Sequence, residues 1–424
     1  NMKILTLAAA AETLGWDYRF TTTLETASPV EQGVLRGDLF IRGTGDPTIN
    51  WRDARAAGVV AEWARALKDA GIHRIEGRIV GDDQAFDEEW LGGGWSWDYL
   101  QYGYAAPVGA LQFNESTAPL SVLPGAAAGE PAAVSLPPGT GLTVLNRAVT
   151  VPQGTSETLD FKRHVDRAVL EVTGLVPLGS PGISRNVAVV NPTLYFVESV
   201  RQSFIDLGIP VEGGAADIDD VAPLWGGSDS SGVTSYGDRK VLASTTSPPL
   251  REIGIVLMKF SQNLYAETLV KAIGAARGGL GSIPGGRVRM QDTLTDWNIP
   301  RDAYIIADGS GLSRYNYVSA EAITAILERM YRDPRHREAF AATLPIAGRD
   351  GTIGSRMRRS RAEGNAMAKT GSIANVRSLS GYVETRDGET LVFSILANDF
   401  PIPASTVTWI ADLAVEVLAN FTRR

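Results

Sequence analysis

The amino-acid composition in the middle of the sequence differs from that of the segments on either side. Between about residues 117 and 185, short β-branched runs alternate with Pro, Gly and Ala, as in VLPGAAAGEPAAVSLPPGTGLTV, and a connector rich in Asp, Gly and Ser follows at 213–239. Such runs, bounded by turn residues, predict a small module of strands. The flanking segments combine amphipathic helices with strands, and 424 residues exceed what one ordinary hydrophobic core holds. We therefore expect an α/β protein of two or three domains, with the β module inserted in it.

The C-terminal part of the sequence carries clear helix and strand signals. A helix is predicted over 245–260, with Ser247 as its N-cap, and a second helix follows after a short loop. Residues 365–399 predict three successive strands, the last two joined as a hairpin. An amphipathic helix is predicted over 405–421, with Ser405 as its N-cap.

The composition excludes several kinds of chemistry. The chain has no Cys, which excludes disulfides, thiol catalysis and thiolate zinc sites. Its three His stand far apart, at His73, His164 and His336, and none lies in a context typical of a Ser-His-Asp triad. A formal net charge of −8 argues against nucleic acid or an anionic membrane as a partner. No apolar run is long enough for a transmembrane helix, and we expect neither a metal nor a cofactor.

Three short motifs occur in an order that suggests nucleophilic catalysis without His. N-M-K begins a helix predicted over Met2–Leu14, S-Q-N (261–263) lies between two predicted helices, and K-T-G (369–371) lies on a predicted strand. Each triplet alone is a weak signal, because a Ser-x-Asn is expected about once by chance in a chain of this length. Together they match the pattern S-x-x-K, S-x-N and K-T-G, with the serine of the first motif expected immediately before Asn1.

Longer segments extend this match over essentially the whole chain, which resembles the low-molecular-mass class C penicillin-binding proteins, the serine D-alanyl-D-alanine carboxypeptidase/endopeptidase family. The segments that carry the resemblance are GDLFIRGTGDPT (37–48), GRIVGDDQAFD (77–87), NPTLYFVESVRQSFIDLGI (191–209), DGSGLSRYNYVS (308–319), LPIAGRDGTI (344–353) and AKTGSIANVRSLSGYV (368–383). The resemblance implies an α/β fold. Its main part is a transpeptidase domain like those of penicillin-binding proteins and serine β-lactamases, an antiparallel sheet with helices on both faces, and two largely β-containing domains are inserted in it.

The same resemblance implies a division of the chain into three domains. The transpeptidase, or D,D-peptidase, domain is expected to comprise residues 1–30 and 220–424. A second domain is expected over 31–116 and 186–219, and the nested β domain over 117–185.

Catalytic roles are implied for Lys3, Ser261 and Asn263. Side chains at i and i+3 lie on one face of a helix, so Lys3 is expected to reach the serine before Asn1 and take its proton. Burial and nearby positive charge lower the pKa of a lysine enough for it to act as a base, and Lys369 is expected to supply that charge. Ser261 is expected to relay a proton to the leaving nitrogen, and Asn263 to hold Lys3 and the substrate amide.

Substrate-binding roles are implied for the strand that carries K-T-G. Lys369 and Thr370 are expected to bind the terminal carboxylate of the substrate, while Gly371 lets the strand approach it closely. The backbone N–H groups of Ser372 and of the expected serine would form the oxyanion hole.

A pocket for the peptide stem is implied by three further residues. Arg314 and Trp95 match positions that line this pocket in the family, and Asp98 matches a position that pairs with the free amine of a diaminopimelate side chain. An equally simple interpretation makes Asp98 a capping residue beside a packed Trp.

The function implied by the resemblance is D,D-carboxypeptidase and D,D-endopeptidase activity on peptidoglycan stem peptides that end in D-Ala-D-Ala. The reaction would proceed through a serine acyl-enzyme without a cofactor, with β-lactam antibiotics as covalent inhibitors. Such a protein is exported and lies in the periplasm or at the cell wall.

Two alternatives stay open at this stage. One is a β-lactamase-like or esterase relative. It is disfavoured because the sequence shows no obvious loop with a glutamate that would act as the general base for deacylation. The other is a non-catalytic peptidoglycan-binding relative that lacks the nucleophile. The presence of both Lys3 and Lys369 argues against the second alternative, because binding alone does not need the lysine pair.

Overall fold

A computed structural model describes residues 1–52, 54–221, 238–276 and 278–423, so most of the connector predicted at 213–239 lies outside the described residues. The helices are α1 (Met2–Leu14), α2 (Arg55–Asp69), α3 (Pro192–Asp206), α4 (Ile218–Val221), α5 (Leu250–Lys259), α6 (Asn263–Ala275), α7 (Ile283–Asp296), α8 (Ala320–Arg332), α9 (Arg337–Thr343) and α10 (Ala404–Asn420).

The strands are β1 (Thr21–Thr26), β2 (Val30–Glu31), β3 (Val34–Leu35), β4 (Leu39–Gly43), β5 (Arg74–Ile75), β6 (Ile79–Asp82), β7 (Thr117–Leu123), β8 (Ala133–Ser135), β9 (Thr143–Val151), β10 (Thr158–Arg163), β11 (Val169–Pro177), β12 (Ile183–Ala188), β13 (Ala215–Asp217), β14 (Lys240–Thr246), β15 (Tyr304–Ile305), β16 (Tyr317–Val318), β17 (Met367–Ile373), β18 (Val376–Glu384) and β19 (Thr390–Asn398). These helices and strands belong to two compact units of the chain. Unit 1 comprises Asn1–Arg19, Gly92–Trp95 and Pro248–Arg424, and unit 2 comprises Phe20–Leu91 and Ser96–Ser247.

Unit 1 is built around the antiparallel sheet β17-β18-β19, which has helices on both faces. Because side chains alternate along a strand, Leu379 and Val383 of β18 pack with Val415 of α10 on one face. On the other face, the hydroxyl of Tyr382 donates a hydrogen bond of 2.7 Å to the carbonyl of Leu327 in α8. Helix α1 is buried over its first ten residues and packs against α5, α6, α7 and α8.

Unit 2 contains a mixed five-stranded sheet in the order β13-β6-β4-β1-β14. Its core includes Trp63 of α2 and Phe196 of α3, whose rings lie 6.3 Å apart. Strands β7 to β12 form two further three-stranded sheets around a separate cluster of buried side chains, in the segment where the sequence predicts a β module. The assignment of this module to a domain of its own stays a prediction.

The borders of unit 1 differ from those predicted for the transpeptidase domain. Unit 1 ends at Arg19 and resumes at Pro248, apart from Gly92–Trp95, whereas the predicted borders were residues 30 and 220. Strands β1 and β14 account for the difference, because they pair with each other along their lengths and thereby join the sheet of unit 2.

The two predicted N-caps are wrong by a few residues. Helix α5 begins at Leu250, and the hydroxyl of Ser247 instead accepts a hydrogen bond of 2.9 Å from the backbone N–H of Phe20. Helix α10 begins at Ala404, so Ser405 lies inside it. Among the described residues, no helix combines the length and the apolar character needed to cross a membrane.

Candidate active site

Helix α1 carries Lys3 in its first turn, where the side chain is 5% exposed. The Lys3 ammonium donates hydrogen bonds to Asn263 Oδ1 at 2.5 Å and to the carbonyl oxygen of Ser310 at 2.8 Å. The structure therefore brings together the first and second motifs as the sequence predicted, and Lys3 has a fixed position at the start of a buried helix.

The S-Q-N motif occupies the turn between α5 and α6. Ser261 has a φ of 57°, in the left-handed region, and the side chain of Gln262 caps the new helix by accepting from the N–H of Leu264 at 3.3 Å. Non-Gly residues held in this region of φ are uncommon and cluster at functional sites. The turn places Asn263 at the first position of α6, where its side chain contacts Lys3.

The K-T-G motif lies on β17, the edge strand of its sheet. Lys369 is 1% exposed, and its ammonium donates hydrogen bonds of 2.8 Å to Ser261 Oγ and to the carbonyl oxygen of Thr370. The hydroxyl of Thr370 donates to Thr352 Oγ1, also at 2.8 Å. The second and third motifs are thus in direct contact, which the sequence analysis did not predict.

Gly371 has a close neighbour on the adjacent strand. A Cβ at this position would lie 2.3 Å from the hydroxyl oxygen of Ser378, which itself donates to the side-chain carbonyl of Asn1 at 3.0 Å. Because glycine has no Cβ, the side chain of Ser378 fits beside the backbone of Gly371. The oxyanion-hole role of the Ser372 N–H stays a prediction.

The two buried lysines have pKa values below the usual range of a lysine. Burial lowers the pKa of Lys3 to about 8, although the negative charges of Asp308 and Glu267 act in the opposite direction. Burial and the charge of Lys3 lower the pKa of Lys369 well below its usual value. A lysine with a pKa near 8 has a substantial neutral fraction close to neutral pH, which suits a general base.

Sequence reasoning missed Glu267, which is 1% exposed and lies one helical turn after Asn263 on α6. Its carboxylate accepts hydrogen bonds from the backbone N–H groups of Gly309 at 2.9 Å and Ser310 at 2.7 Å. It thereby fixes the turn whose Ser310 carbonyl contacts Lys3. Burial and the charge of Asp308 raise the pKa of Glu267 to about 8. The i, i+4 spacing from Asn263 was the signal that could have found this residue.

Asp308 was likewise missed as a site residue, although its segment was quoted. This buried carboxylate accepts hydrogen bonds from the N–H of Gly311 at 2.8 Å, the N–H of Ser313 at 2.6 Å, Asn316 Nδ2 at 2.7 Å and Trp95 Nε1 at 2.9 Å. The structure therefore gives Trp95 a definite structural contact with the turn beside Lys3. Its predicted role in lining the stem-peptide pocket stays a prediction.

Arg314 and Asp98 lie in different units. Arg314 is exposed, and its Nη1 donates to the carbonyl of Ala374, which follows β17, at 3.2 Å. Asp98 lies in unit 2, is exposed and accepts a hydrogen bond from the hydroxyl of Ser96. The predicted contacts of both residues with the stem peptide stay predictions.

His336 belongs to the group in unit 1 that resembles a metal site, together with Glu12 and Asp333. Both of its ring nitrogens are already engaged, because Nδ1 accepts from Trp16 Nε1 at 3.1 Å and Nε2 lies 3.0 Å from Glu12 Oε2. The group therefore serves as a hydrogen-bonded contact between α1 and the start of α9.

A helix-borne lysine, a Ser-x-Asn turn and a K-T-G edge strand, joined by hydrogen bonds within one α/β unit, define a class of protein: the serine acyltransferases that react with penicillin. The chain belongs to the D-Ala-D-Ala carboxypeptidase 3 (S13) family, whose sequence model matches residues 1–419. The predicted family and the predicted class of enzyme, a serine-type peptidase, are thereby confirmed.

Individual relatives agree with this assignment. A D-alanyl-D-alanine carboxypeptidase of Actinomadura sp. (strain R39) is 36% identical over 419 residues, which cover 95% of this chain and 73% of the relative. D-alanyl-D-alanine carboxypeptidase DacB of Haemophilus influenzae is 27% identical over 405 residues, or 94% of this chain and 80% of the relative. The crystal structure of penicillin binding protein 4 (dacB) from Haemophilus influenzae matches with a TM-score of 0.81 and 25% identity, covering 99% of this chain and 90% of that one. The predicted fold class is confirmed by this match.

Proposed function

We propose that the protein removes the terminal D-Ala from peptidoglycan stem peptides that end in D-Ala-D-Ala, through an acyl-enzyme on the serine expected before Asn1. The observation that carries the proposal is the pair of buried ammonium groups. Lys3 contacts Asn263, and Lys369 contacts Ser261, at 2.5 and 2.8 Å. Burying two cations costs free energy, and peptide binding alone gives no reason for two lysines with lowered pKa values.

The reaction divides into two steps that these residues can serve. In the first, neutral Lys3 takes the serine proton while the serine oxygen attacks the carbonyl of the penultimate D-Ala. The bond to the terminal D-Ala nitrogen then breaks, and that nitrogen receives a proton through Ser261. In the second step, water attacks the ester, the serine regains its proton, and the shortened peptide leaves.

The carboxylate of the terminal D-Ala distinguishes this substrate from an internal peptide bond. The Lys369 ammonium supplies the charge that such a carboxylate needs, and the Thr370 hydroxyl supplies the hydrogen bond on turning from Thr352 Oγ1 to the carboxylate. A β-lactam carries a carboxylate and a reactive amide at similar positions. Its leaving nitrogen stays attached after ring opening, and we expect the acyl-enzyme to accumulate for that reason.

The experiment is mass spectrometry of the full-length protein with and without benzylpenicillin, followed by peptide mapping. We expect one penicilloyl group on the residue before Asn1, and release of D-Ala from a D-Ala-D-Ala peptide in a parallel assay. Lys3→Ala should abolish both, whereas Lys240→Ala, at an exposed lysine of unit 2, should change neither. A protein that binds the peptide but forms no adduct and releases no D-Ala would instead be the non-catalytic relative.

Endopeptidase activity and stem-peptide preference form a finer part of the same proposal. A cross-linked muropeptide presents a D-Ala amide bond to a diaminopimelate amine, and Asp98 supplies a carboxylate that can pair with a free amine. We expect Asp98→Asn to reduce the preference for peptides with a free side-chain amine over the same peptides acetylated at that amine. Equal rates on both peptides in the unaltered protein would overturn this part.

The substrate lies outside the cytoplasmic membrane, so the proposed function implies an exported protein in the periplasm or at the cell wall. Cell fractionation, with detection of the fluorescent penicillin adduct in each fraction, tests this placement. Recovery of the adduct in the cytoplasmic fraction of intact, washed cells would contradict it.

A further inference from the structure

The ends of two neighbouring strands in unit 2 bring several carboxylates together. Strands β13 and β6 run parallel, with Asp217 paired opposite Gly81. The carboxyl ends of parallel strands meet at one edge of a sheet. Asp83 follows β6 directly, and Asp219 lies in α4, which follows β13.

Asp82 and Asp83 are neighbours in sequence but have different partners. Asp82 forms an ion pair with Arg239. Asp83 is 2% exposed; its Oδ2 accepts a hydrogen bond from the hydroxyl of Thr193, and its Oδ1 is buried with no hydrogen-bond partner among the described residues. A buried carboxylate oxygen without a partner is rare in native proteins, and an ion that binds there is one of its ordinary explanations.

Two exposed carboxylates lie close to this buried one. A carboxylate oxygen from each of Asp83, Glu88 and Asp219 lies within 4.8 Å of the other two. A cation at the calcium–oxygen distance, about 2.3–2.6 Å, can contact three oxygens spaced in this way. We propose that Asp83, Glu88 and Asp219 bind one calcium ion, which ties the segment after β6 to the start of α4.

The chemistry of the donors favours calcium over other divalent cations. All three ligands are carboxylates, which suit hard cations, whereas zinc and copper favour nitrogen and sulfur ligands. The exposed side chains of Glu88 and Asp219 leave water access for further ligands, and calcium accepts irregular sets of six to eight oxygens. Magnesium demands a nearly regular octahedron with shorter bonds.

The electrostatic surroundings of Asp83 agree with a bound cation. The buried carboxylate of Asp83 lies beside the carboxylates of Glu88 and Asp219, so like charges repel one another there. A divalent ion offsets this repulsion in the folded protein. The proposal is independent of the proposed function, because these residues lie in unit 2 and take part in no step of the acyl transfer.

The experiment uses the full-length protein, dialysed against EDTA and then titrated with calcium chloride by calorimetry and by thermal unfolding. We expect one calcium ion per chain and a melting temperature that rises with calcium concentration. Asp83→Asn and Asp219→Asn should each weaken calcium binding at least tenfold. Asp166→Asn, at an exposed acid of the same unit, should leave it unchanged.

A second readout separates ion binding from general damage. In EDTA, Asp83→Asn should melt no lower than the unaltered protein, because it removes a charge that neighbouring carboxylates repel. Asp219 is exposed, so Asp219→Asn reports on calcium even if the buried variant folds poorly. Absence of calcium binding in the unaltered protein, or binding that both variants retain in full, would overturn the proposal. Equal stabilisation by magnesium chloride would overturn the assignment to calcium.

Discussion

The ammonium group of Lys369 donates a hydrogen bond to the hydroxyl oxygen of Ser261 over 2.8 Å. A serine hydroxyl has one proton to donate, and an oxygen that accepts from an ammonium directs that proton elsewhere. The contact therefore does two things at once. It fixes the Lys369 amino group beside the S-Q-N turn, and it leaves the Ser261 proton available for the relay to the leaving nitrogen that we propose.

Because the two side chains act through one hydrogen bond, their substitutions should not be additive. We expect Ser261→Ala and Lys369→Ala each to lower kcat/KM for D-Ala release by about 10²–10⁴-fold, the range of a lost proton-transfer group. The double variant should lose little more than the worse single variant. Ser355→Ala, at an exposed serine of unit 1, is the matched control. Losses that multiply in the double variant would mean that the two residues act independently.

The pH dependence of acylation should report the pKa of Lys3, which burial lowers to about 8. The base works only when neutral, so the rate constant at saturating benzylpenicillin should rise with pH, reach half its maximum near pH 8 and level off above it. At saturating benzylpenicillin, the measured rate constant no longer depends on how tightly Lys369 binds the carboxylate of the ligand. Lys3→Arg should remove this limb, because a guanidinium stays protonated. A flat profile through pH 8 in the unaltered protein would exclude Lys3 as the base.

Glu267 should shift that same profile. The Glu267 carboxyl becomes negative near pH 8, and that charge raises the pKa of Lys3, so Glu267→Gln should move the upper part of the ascending limb to lower pH. The variant also loses an acceptor for the backbone of Gly309 and Ser310, and we expect a lower plateau for that reason. Glu321→Gln, at an exposed acid of α8, should change neither quantity. A lower plateau with an unmoved limb would assign Glu267 a purely structural role.

The sequence predicted the elements that carry the three motifs, because each motif combines residue type with a recognisable element. It also predicted the contact of Asn263 with Lys3, but not that of Lys369 with Ser261. Lys3 lies on a helix, Ser261 in a turn and Lys369 on a strand, as expected. No motif marks Glu267 or Asp308, and the i, i+4 spacing of Glu267 from Asn263 was the one local signal for that residue. Their role depends on backbone N–H groups of a distant turn, which any residue supplies and no motif records.

The errors in the fold have similar physical causes. The sequence placed the start of α5 at Ser247, but two prolines follow, and the residue before a proline is disfavoured in the helical region. The helix consequently begins at Leu250. The borders of unit 1 differ from those predicted for the transpeptidase domain because β1 and β14, which are far apart in the sequence, pair with each other. Nothing local to either strand indicates its partner.

Gly371 allows a test of side-chain packing at β17, the strand that carries the K-T-G motif. In Gly371→Ala, the new methyl group would lie 2.3 Å from Ser378 Oγ, so one of the two must move. We expect a loss of acylation rate of up to about 100-fold, which is typical of a misplacement of about 1 Å. Ser378→Ala removes the clashing oxygen, so the double variant should recover most of that loss. A double variant no faster than Gly371→Ala would show that the methyl group obstructs the ligand instead.

Substitution of Trp95 can distinguish its observed hydrogen bond to Asp308 from its predicted role in lining the stem-peptide pocket. Trp95 Nε1 donates to Asp308 Oδ2 at 2.9 Å, and Asp308 is fully buried. Trp95→Phe keeps a large aromatic ring but removes this donor, and a hydrogen bond to a buried charge contributes about 2 kcal/mol. We expect the free energy of unfolding, measured in urea by circular dichroism, to fall by about that amount.

Trp97→Phe is the matched control, because Trp97 is 55% exposed and its substitution should change the unfolding free energy by no more than about 0.5 kcal/mol. Trp95→Phe should also lower the acylation rate constant, since Asp308 holds the turn whose Ser310 carbonyl contacts Lys3. A variant with a raised KM for the peptide but an unchanged free energy of unfolding would contradict this interpretation. It would instead make Trp95 a wall of the stem-peptide pocket, the role that the sequence predicted.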